Sequence, residues 1–169
     1  MAYPTVSAPY GLKPINLIGG QVFAGATRQI PIASGYNTNI FNGDVVHLVS
    51  AGTLEKDTGT STATPVGVFL GCTYTDPVLK YKLYSQYYPA NTSASDIMAF
   101  VADDPDQLFK IALVSGTTVI AGLGRTVVGS NLALVQNAGS TTTGDSAVAA
   151  LTTSSATTVS LDRKSTRLN

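Results

Sequence analysis

A chain of 169 residues with ten Lys and Arg against ten Asp and Glu, one His and one Cys is long enough for one domain with a sizeable core and needs neither disulfides nor metal to fold. Only 12% of its residues are charged and the net charge is zero, which excludes a nucleic-acid or membrane surface held by bulk electrostatics. A hydrophobic content of 44%, with eight Tyr and five Phe, excludes a disordered segment, because such segments are poor in apolar residues.

The opening MAYPTVSAPYGLKP lacks the basic start and apolar run of a secretory signal, so the mature chain is expected to begin here. Pro4, Pro9 and Pro14 oppose a helix. From Met1 to Gly20, Val6, Leu12, Ile15, Leu17 and Ile18 recur without a regular period, which predicts an extended N-terminal arm over residues 1–20 that gains order by lying on a neighbour. The alternative is that these residues close the base of the domain itself.

Residues 21–161 are expected to form a β-rich domain, because runs of high β preference recur there between Gly, Asn, Asp and Pro. Arg28 to Ile32 alternates, with Ile30 and Ile32 on one face and Pro31 confining the strand to an edge or an end. Asn42-Gly43-Asp44 marks a turn before Val45 to Val49, which is apolar on both faces except at His47 and reads as a buried strand. Thr53 to Glu55 begins another strand, and the Thr-rich stretch from Lys56 to Thr64 reads as an exposed loop. Pro65 to Tyr74 is the strongest strand, with Gly67 and Gly71 marking a bulge or a close backbone approach. Leu79 to Tyr88 is a half-exposed strand, with Leu79, Tyr81, Leu83 and Ser85 on one side and Lys80, Lys82, Tyr84 and Gln86 on the other. Ile97 to Ala102 and Leu108 to Val114 flank Asp103-Asp104-Pro105-Asp106 and read as a hairpin. Thr118 to Leu123 suggests a short helix, Leu132 to Gln136 a strand, Asn137 to Asp145 a Thr/Gly loop and Thr157 to Leu161 a final strand, while Ser146 to Leu151 is ambiguous. The expected fold class is all-β, a small β-barrel or sandwich. The uncharged stretches 111–124 and 126–144 are respectively too short and too polar to span a bilayer, so no membrane segment is expected.

Catalytic chemistry finds little to work with. His47 sits inside an apolar strand, where a satisfied structural histidine is the simpler reading than a catalytic base. One His and one Cys cannot close a structural zinc site. Cys72 lies in a Gly-rich apolar strand without neighbouring cationic residues and reads as a small buried hydrophobe. Asp103, Asp104 and Asp106 could hold a hard cation but lack the EF-hand spacing, and a solvated acidic turn is the simpler reading. Gly122-Leu123-Gly124 lacks the third glycine of a phosphate loop, and Asn91-Thr92-Ser93 is a glycosylation acceptor without a secretory signal. Tyr81, Tyr84, Tyr87 and Tyr88 beside Lys80 and Lys82 could stack bases or sugars; in a neutral chain an intersubunit surface is preferred. No cofactor, metal or catalytic activity is expected.

The final octapeptide, Asp162 to Asn169, reads DRKSTRLN, carries three of the ten basic residues and breaks from the Ser/Thr/Ala-rich segment before it. It resembles a translated sequencing adapter, so residues 162–169 are expected to be an artefact on a truncated natural C-terminus, with a genuine basic tail as the alternative.

The ordered series APYGLKPINLIGG, IPIASGYNTNIFNGDVVHLV, PVGVFLG, FVADDPDQLFKIAL and SNLALVQNAGSTTTGDS, spanning most of residues 8 to 160, resembles a family of small virion structural proteins of tailed bacteriophages, many known from marine viral metagenomes. The pair Gly43 to Val46 and Val66 to Val68 also resembles small β-barrel cement domains. The resemblance implies a capsid decoration, or cement, protein on the outer capsid surface of the virion, in the host cytoplasm during assembly. Its implied partners are the major capsid protein and copies of itself, with a trimer favoured, and neither nucleic acid nor membrane. The contact residues expected on this reading are Tyr3, Val6, Tyr10, Leu12, Ile15, Leu17, Tyr81, Tyr84, Tyr87 and Tyr88. A tail-tube or other virion building block, and a carbohydrate-binding virion protein using the Tyr-rich strand and the acidic turn, are the alternatives.

Overall fold

A computed structural model describes residues 9–60, 62–117, 119 and 128–155. The expected helix at Thr118 to Leu123 (Val119 apart), the strand at Thr157 to Leu161, and residues 162–169 lie outside them. Among the described residues eleven strands follow in chain order: β1 (Lys13–Leu17), β2 (Arg28–Pro31), β3 (Val45–Leu48), β4 (Leu54–Lys56), β5 (Gly67–Thr75), β6 (Lys82–Ser85), β7 (Met98–Ala102), β8 (Gln107–Lys110), β9 (Leu113–Val114), β10 (Leu132–Val135) and β11 (Ala149–Ser155). No helix occurs among the described residues, and the fold is all-β as expected. Among the described residues the sheets are open and sandwich-like, not closed into a barrel: a six-stranded sheet ordered β2-β7-β5-β3-β4 with β6 also on β5, a β1-β8 pair, and a three-stranded sheet ordered β10-β11-β9.

β5 is the spine. β7 runs antiparallel along one side of it, while β3 covers the start of its other side (Val45↔Val68) and β6 the end (Cys72↔Ser85 to Thr75↔Lys82). Successive strand residues point to opposite faces, and here each face meets its own core. Val46, Phe69 and Val101 enter one cluster with Ile30, Ile40 and Tyr88. Their neighbours Val45, Val68 and Ala102 enter a second with Leu12, Phe109, Leu134 and Val148. A sheet covered on both sides explains why these strands read as continuous apolar runs instead of alternating ones.

The two glycines of β5 do what their positions suggested. The ladder with β7 slips between Phe69 and Gly71, a bulge at which Gly71 takes φ +151°. At Gly67 a Cβ would run into the carbonyl oxygen of Ala102 and lie 2.7 Å from Val101 Cγ1. Gly67→Ala is therefore expected to destabilise the domain by about 1–3 kcal/mol, the usual range for overpacking, with urea unfolding as the measurement.

Several expectations need correction. The arm predicted over residues 1–20 is, over its described part, built into the domain: β1 pairs with β8, Leu12 is 2% exposed, and Leu12 N donates to Gly43 O at 3.0 Å. Lys13 Nζ then reaches Asn42 Oδ1 at 2.7 Å and Asp145 Oδ1 at 2.8 Å, so the segment is held by its own domain. The predicted hairpin around Asp103–Asp106 is no hairpin, because β7 pairs with β2 and β5 whereas β8 turns away to pair with β1. The strand predicted over Leu79–Tyr88 shrinks to Lys82–Ser85. Its start is taken by a turn in which Asp76 Oδ1 accepts from the N–H groups of Val78 and Leu79, each at 2.7 Å, and Lys80 adopts φ 59°. The Thr-rich loop is less free than expected, since buried Asp57 accepts from Gly59 N and Thr64 N, both at 2.8 Å.

One polar node lies inside the apolar framework. Asp44, fully buried, accepts from Phe41 N and Lys56 Nζ at 2.9 Å each through Oδ2, and from Ser146 Oγ at 2.6 Å through Oδ1. The node joins the turn before β3 to β4 and to the segment leading into β11.

Candidate functional site

The residues predicted to make contacts fall in three places. Tyr3 and Val6 lie outside the described residues. Leu12 and Tyr88 are core: Tyr88 is 0% exposed, packs 6.1 Å from the Tyr36 ring and donates its hydroxyl to Tyr36 O at 3.1 Å. Neither can offer surface to a partner, which corrects their assignment as contact residues. Tyr10, Ile15, Leu17 and Tyr87 are half-buried. Tyr10 has Lys110 Nζ 5.8 Å from its ring, and burial pushes its hydroxyl pKa up. Tyr87 stacks on Phe41 with ring centres 5.5 Å apart.

That leaves Tyr81 and Tyr84 as exposed aromatics, 51% and 75% accessible. Both sit on the β5–β6 hairpin. β6 is held only at one edge among the described residues, by β5, and its alternation turns Lys82 and Tyr84 outward while Leu83 and Ser85 are partly covered. At the tip, Val78 and Leu79 are 82% and 62% exposed. Together Val78, Leu79, Tyr81 and Tyr84, with Lys80 and Lys82 between them, form the largest run of exposed apolar side chains among the described residues. Such a patch is a candidate contact surface, and its two tyrosines offer large contact area with little entropy loss. Sequence reasoning missed Val78 and Leu79. The available signal was the Asp76-Pro77 turn start, which places two apolar residues in a turn instead of on a strand face.

At the far end of the β5–β7 ladder lies the acidic turn. Asp103 Oδ2 pairs with Arg28 Nε at 2.8 Å, Asp104 Oδ1 accepts from Asp106 N at 2.8 Å, and Asp106 O accepts from Ile18 N at 2.8 Å. Ala26, Thr27, Arg28, Asp103, Asp104 and Pro105 line an open groove of about 490 Å³. Val68 is registered with Ala102 at this end, and Thr75 is bonded to Asp96 at the other. Seven strand residues at about 3.3 Å each put the acidic turn and the hairpin tip roughly 20 Å apart. Tyr84 and the acidic turn therefore do not converge on one sugar site. Among the described residues, no three His, Cys, Asp or Glu side chains are grouped to hold a metal ion.

His47 and Cys72 sit apart from this surface. His47 is registered with Glu55 across β3–β4, and its Nδ1 is buried without a hydrogen-bond partner among the described residues, so the expected satisfied histidine is corrected at that atom. Cys72 is 1% exposed with its Sγ 3.6 Å from Tyr87 O, and burial pushes the thiol pKa up to about 12. A thiol reagent at pH 8 is expected to leave the native protein unlabelled and to react in urea; rapid native labelling would contradict this burial. The unfolded thiol ionises near its ordinary 9.0 and the folded one well above it, so this group costs stability only as pH rises past 9.0.

No protein-family model matches the chain, and no curated protein or solved structure is significantly similar to it.

Proposed function

We propose that this chain is a virion structural protein of a tailed bacteriophage, acting as a capsid decoration protein that adheres to the outer capsid surface and reinforces the contacts between capsomers. The observation that carries the reading is the exposed Val78–Tyr84 hairpin, an adhesive edge held out from a sheet that is packed on both faces. The ordered resemblance along residues 8 to 160 supplies the kind of particle. A rigid β framework suits the role, because weak contacts repeated by capsid symmetry add up only when each copy presents the same geometry. Adhesion of this kind needs no reacting group, only area, shape and a fixed orientation.

The test mixes the purified full chain with capsids of its parent phage that lack it, followed by sedimentation. Saturable binding at a fixed number of copies per capsomer is expected, with Tyr84→Ala weakening it by more than about tenfold, the loss of an anchor worth about 1.4 kcal/mol or more. A chain that stays in the supernatant at every concentration would overturn the reading.

A further inference from the structure

We propose that the β5–β6 hairpin tip of one copy docks into the acidic groove of a second copy, so that the protein associates head to tail through Val78, Leu79 and Lys80 on one side and Asp104 on the other. This deepens the decoration reading and rests on it only for the particle in which the copies meet.

Three observations carry it. The tip is apolar and exposed, with Val78 82% and Leu79 62% accessible, and Lys80 stands beside them at φ 59°. The carboxylates near the tip are engaged: Asp76 accepts from Val78 N and Leu79 N, and Asp96 accepts from Thr75 N and Thr75 Oγ1 at 2.9 and 2.7 Å. Both carboxylates keep their charge within the hairpin, Asp96 beside Lys82, so the cation that the tip presents without an ion-pair partner among the described residues is Lys80. The groove has the opposite sign. The cation in its lining, Arg28, is paired with Asp103 at 2.8 Å, which leaves Asp104, with exposed Asp106 next to it, as surplus negative charge beside Pro105 and Ala26.

The placement excludes self-satisfaction. Tip and groove lie at opposite ends of the β5–β7 ladder, roughly 20 Å apart by strand rise, and both are built on one sheet, so a copy cannot close its own tip onto its own groove. Two complementary patches at opposite ends of a rigid body make a heterologous contact, which closes into a ring when the rotation permits. Tyr84, farther down β6 on its outward face, is left free for the capsid.

The experiment is a charge exchange read by analytical ultracentrifugation on the full chain, with circular dichroism to show that each variant is folded. Wild type is expected to associate in a concentration-dependent way. Lys80→Glu sets a second carboxylate against Asp104, and Asp104→Lys sets a second ammonium against Lys80. Each variant alone is expected to lose association by more than about tenfold, since like charges brought together at an interface cost over about 1.4 kcal/mol. Mixing the two variants pairs the exchanged charges with each other, and is expected to restore association through that contact. A wild type that stays monomeric, a Lys80→Glu variant that associates like wild type, or a mixture that fails to recover would each overturn the proposal, as would a Lys80→Glu variant that loses capsid binding while keeping association. Capsid sedimentation of the same proteins separates the two readings: binding of wild type without association of copies sinks this inference alone, and association without capsid binding sinks the decoration reading alone.

Discussion

Asp44→Asn is expected to destabilise the domain by about 3–5 kcal/mol, the range for removing one partner of a buried ion pair. Lys56 is only 10% exposed at its side chain and Asp44 not at all, and their atoms lie 2.9 Å apart. Without the carboxylate, the ammonium is left facing the Phe41 ring, whose centre is 5.9 Å away, a contact worth far less than the desolvation it must offset. The amide that replaces the carboxylate still offers an oxygen to Phe41 N or to Ser146 Oγ, so most of the loss should come from the stranded charge. Urea unfolding of Asp44→Asn, Lys56→Met and the double variant separates the terms. Either single variant should cost more than the pair together, because the double variant removes the unpaired charge. A double variant that costs the sum of the singles would show that the node holds no coupled pair.

The second large effect is at Tyr88, four residues from Tyr84 and its opposite in role. Tyr88→Ala empties a fully buried site between Ile40 and Tyr36 and is expected to cost about 3–5 kcal/mol, as large aromatic truncations do. Tyr88→Phe removes only the hydroxyl that donates to Tyr36 O and is expected to cost about 0.5–1.5 kcal/mol. Tyr84→Ala, at an exposed position, should stay within about 0.5 kcal/mol of wild type while changing binding. Thermal unfolding of the three variants gives the ranking, and a Tyr84→Ala variant less stable than Tyr88→Ala would invert the assignment of surface and core.

These two tyrosines show where the residue pattern stops being readable. Strict alternation from Lys82 and Tyr84 through Gln86 puts Tyr88 on the outward face. The phase is lost after Ser85, where the strand ends and the Ser85 hydroxyl bonds locally to Tyr87 O, so Tyr88 turns inward to bridge Ile40. Side-chain hydrogen bonds of this short range compete with the ladder and carry no periodic signature. The strands around Val45, Val68 and Val101 were legible because burial on both faces leaves an unbroken apolar run. Partner choice was not: Phe109 reads equally well as the return arm of a hairpin and as the mate of Pro14, since both pairings bury the same residue and only long-range packing decides. The arm was misread for the same reason. Leu12 and Ile15 show no period because β1 is short, bulged between Pro14 and Leu17 and covered unevenly. On the surface, Tyr81 and Tyr84 were legible as exposed aromatics on a polar-interleaved strand, whereas the groove at Arg28 and Asp103 joins residues from β2 and from the end of β7 that no local pattern links.

Adhesion to a capsid is the claim on which the functional reading turns. Cryo-electron microscopy of the parent particle measures it most directly. The decoration reading predicts density for this all-β domain on the outer capsid surface, at the junctions between capsomers, with the Tyr84 face of β6 against the shell. Density for the domain in the tail alone, or a capsid exterior bare of it, would contradict the reading.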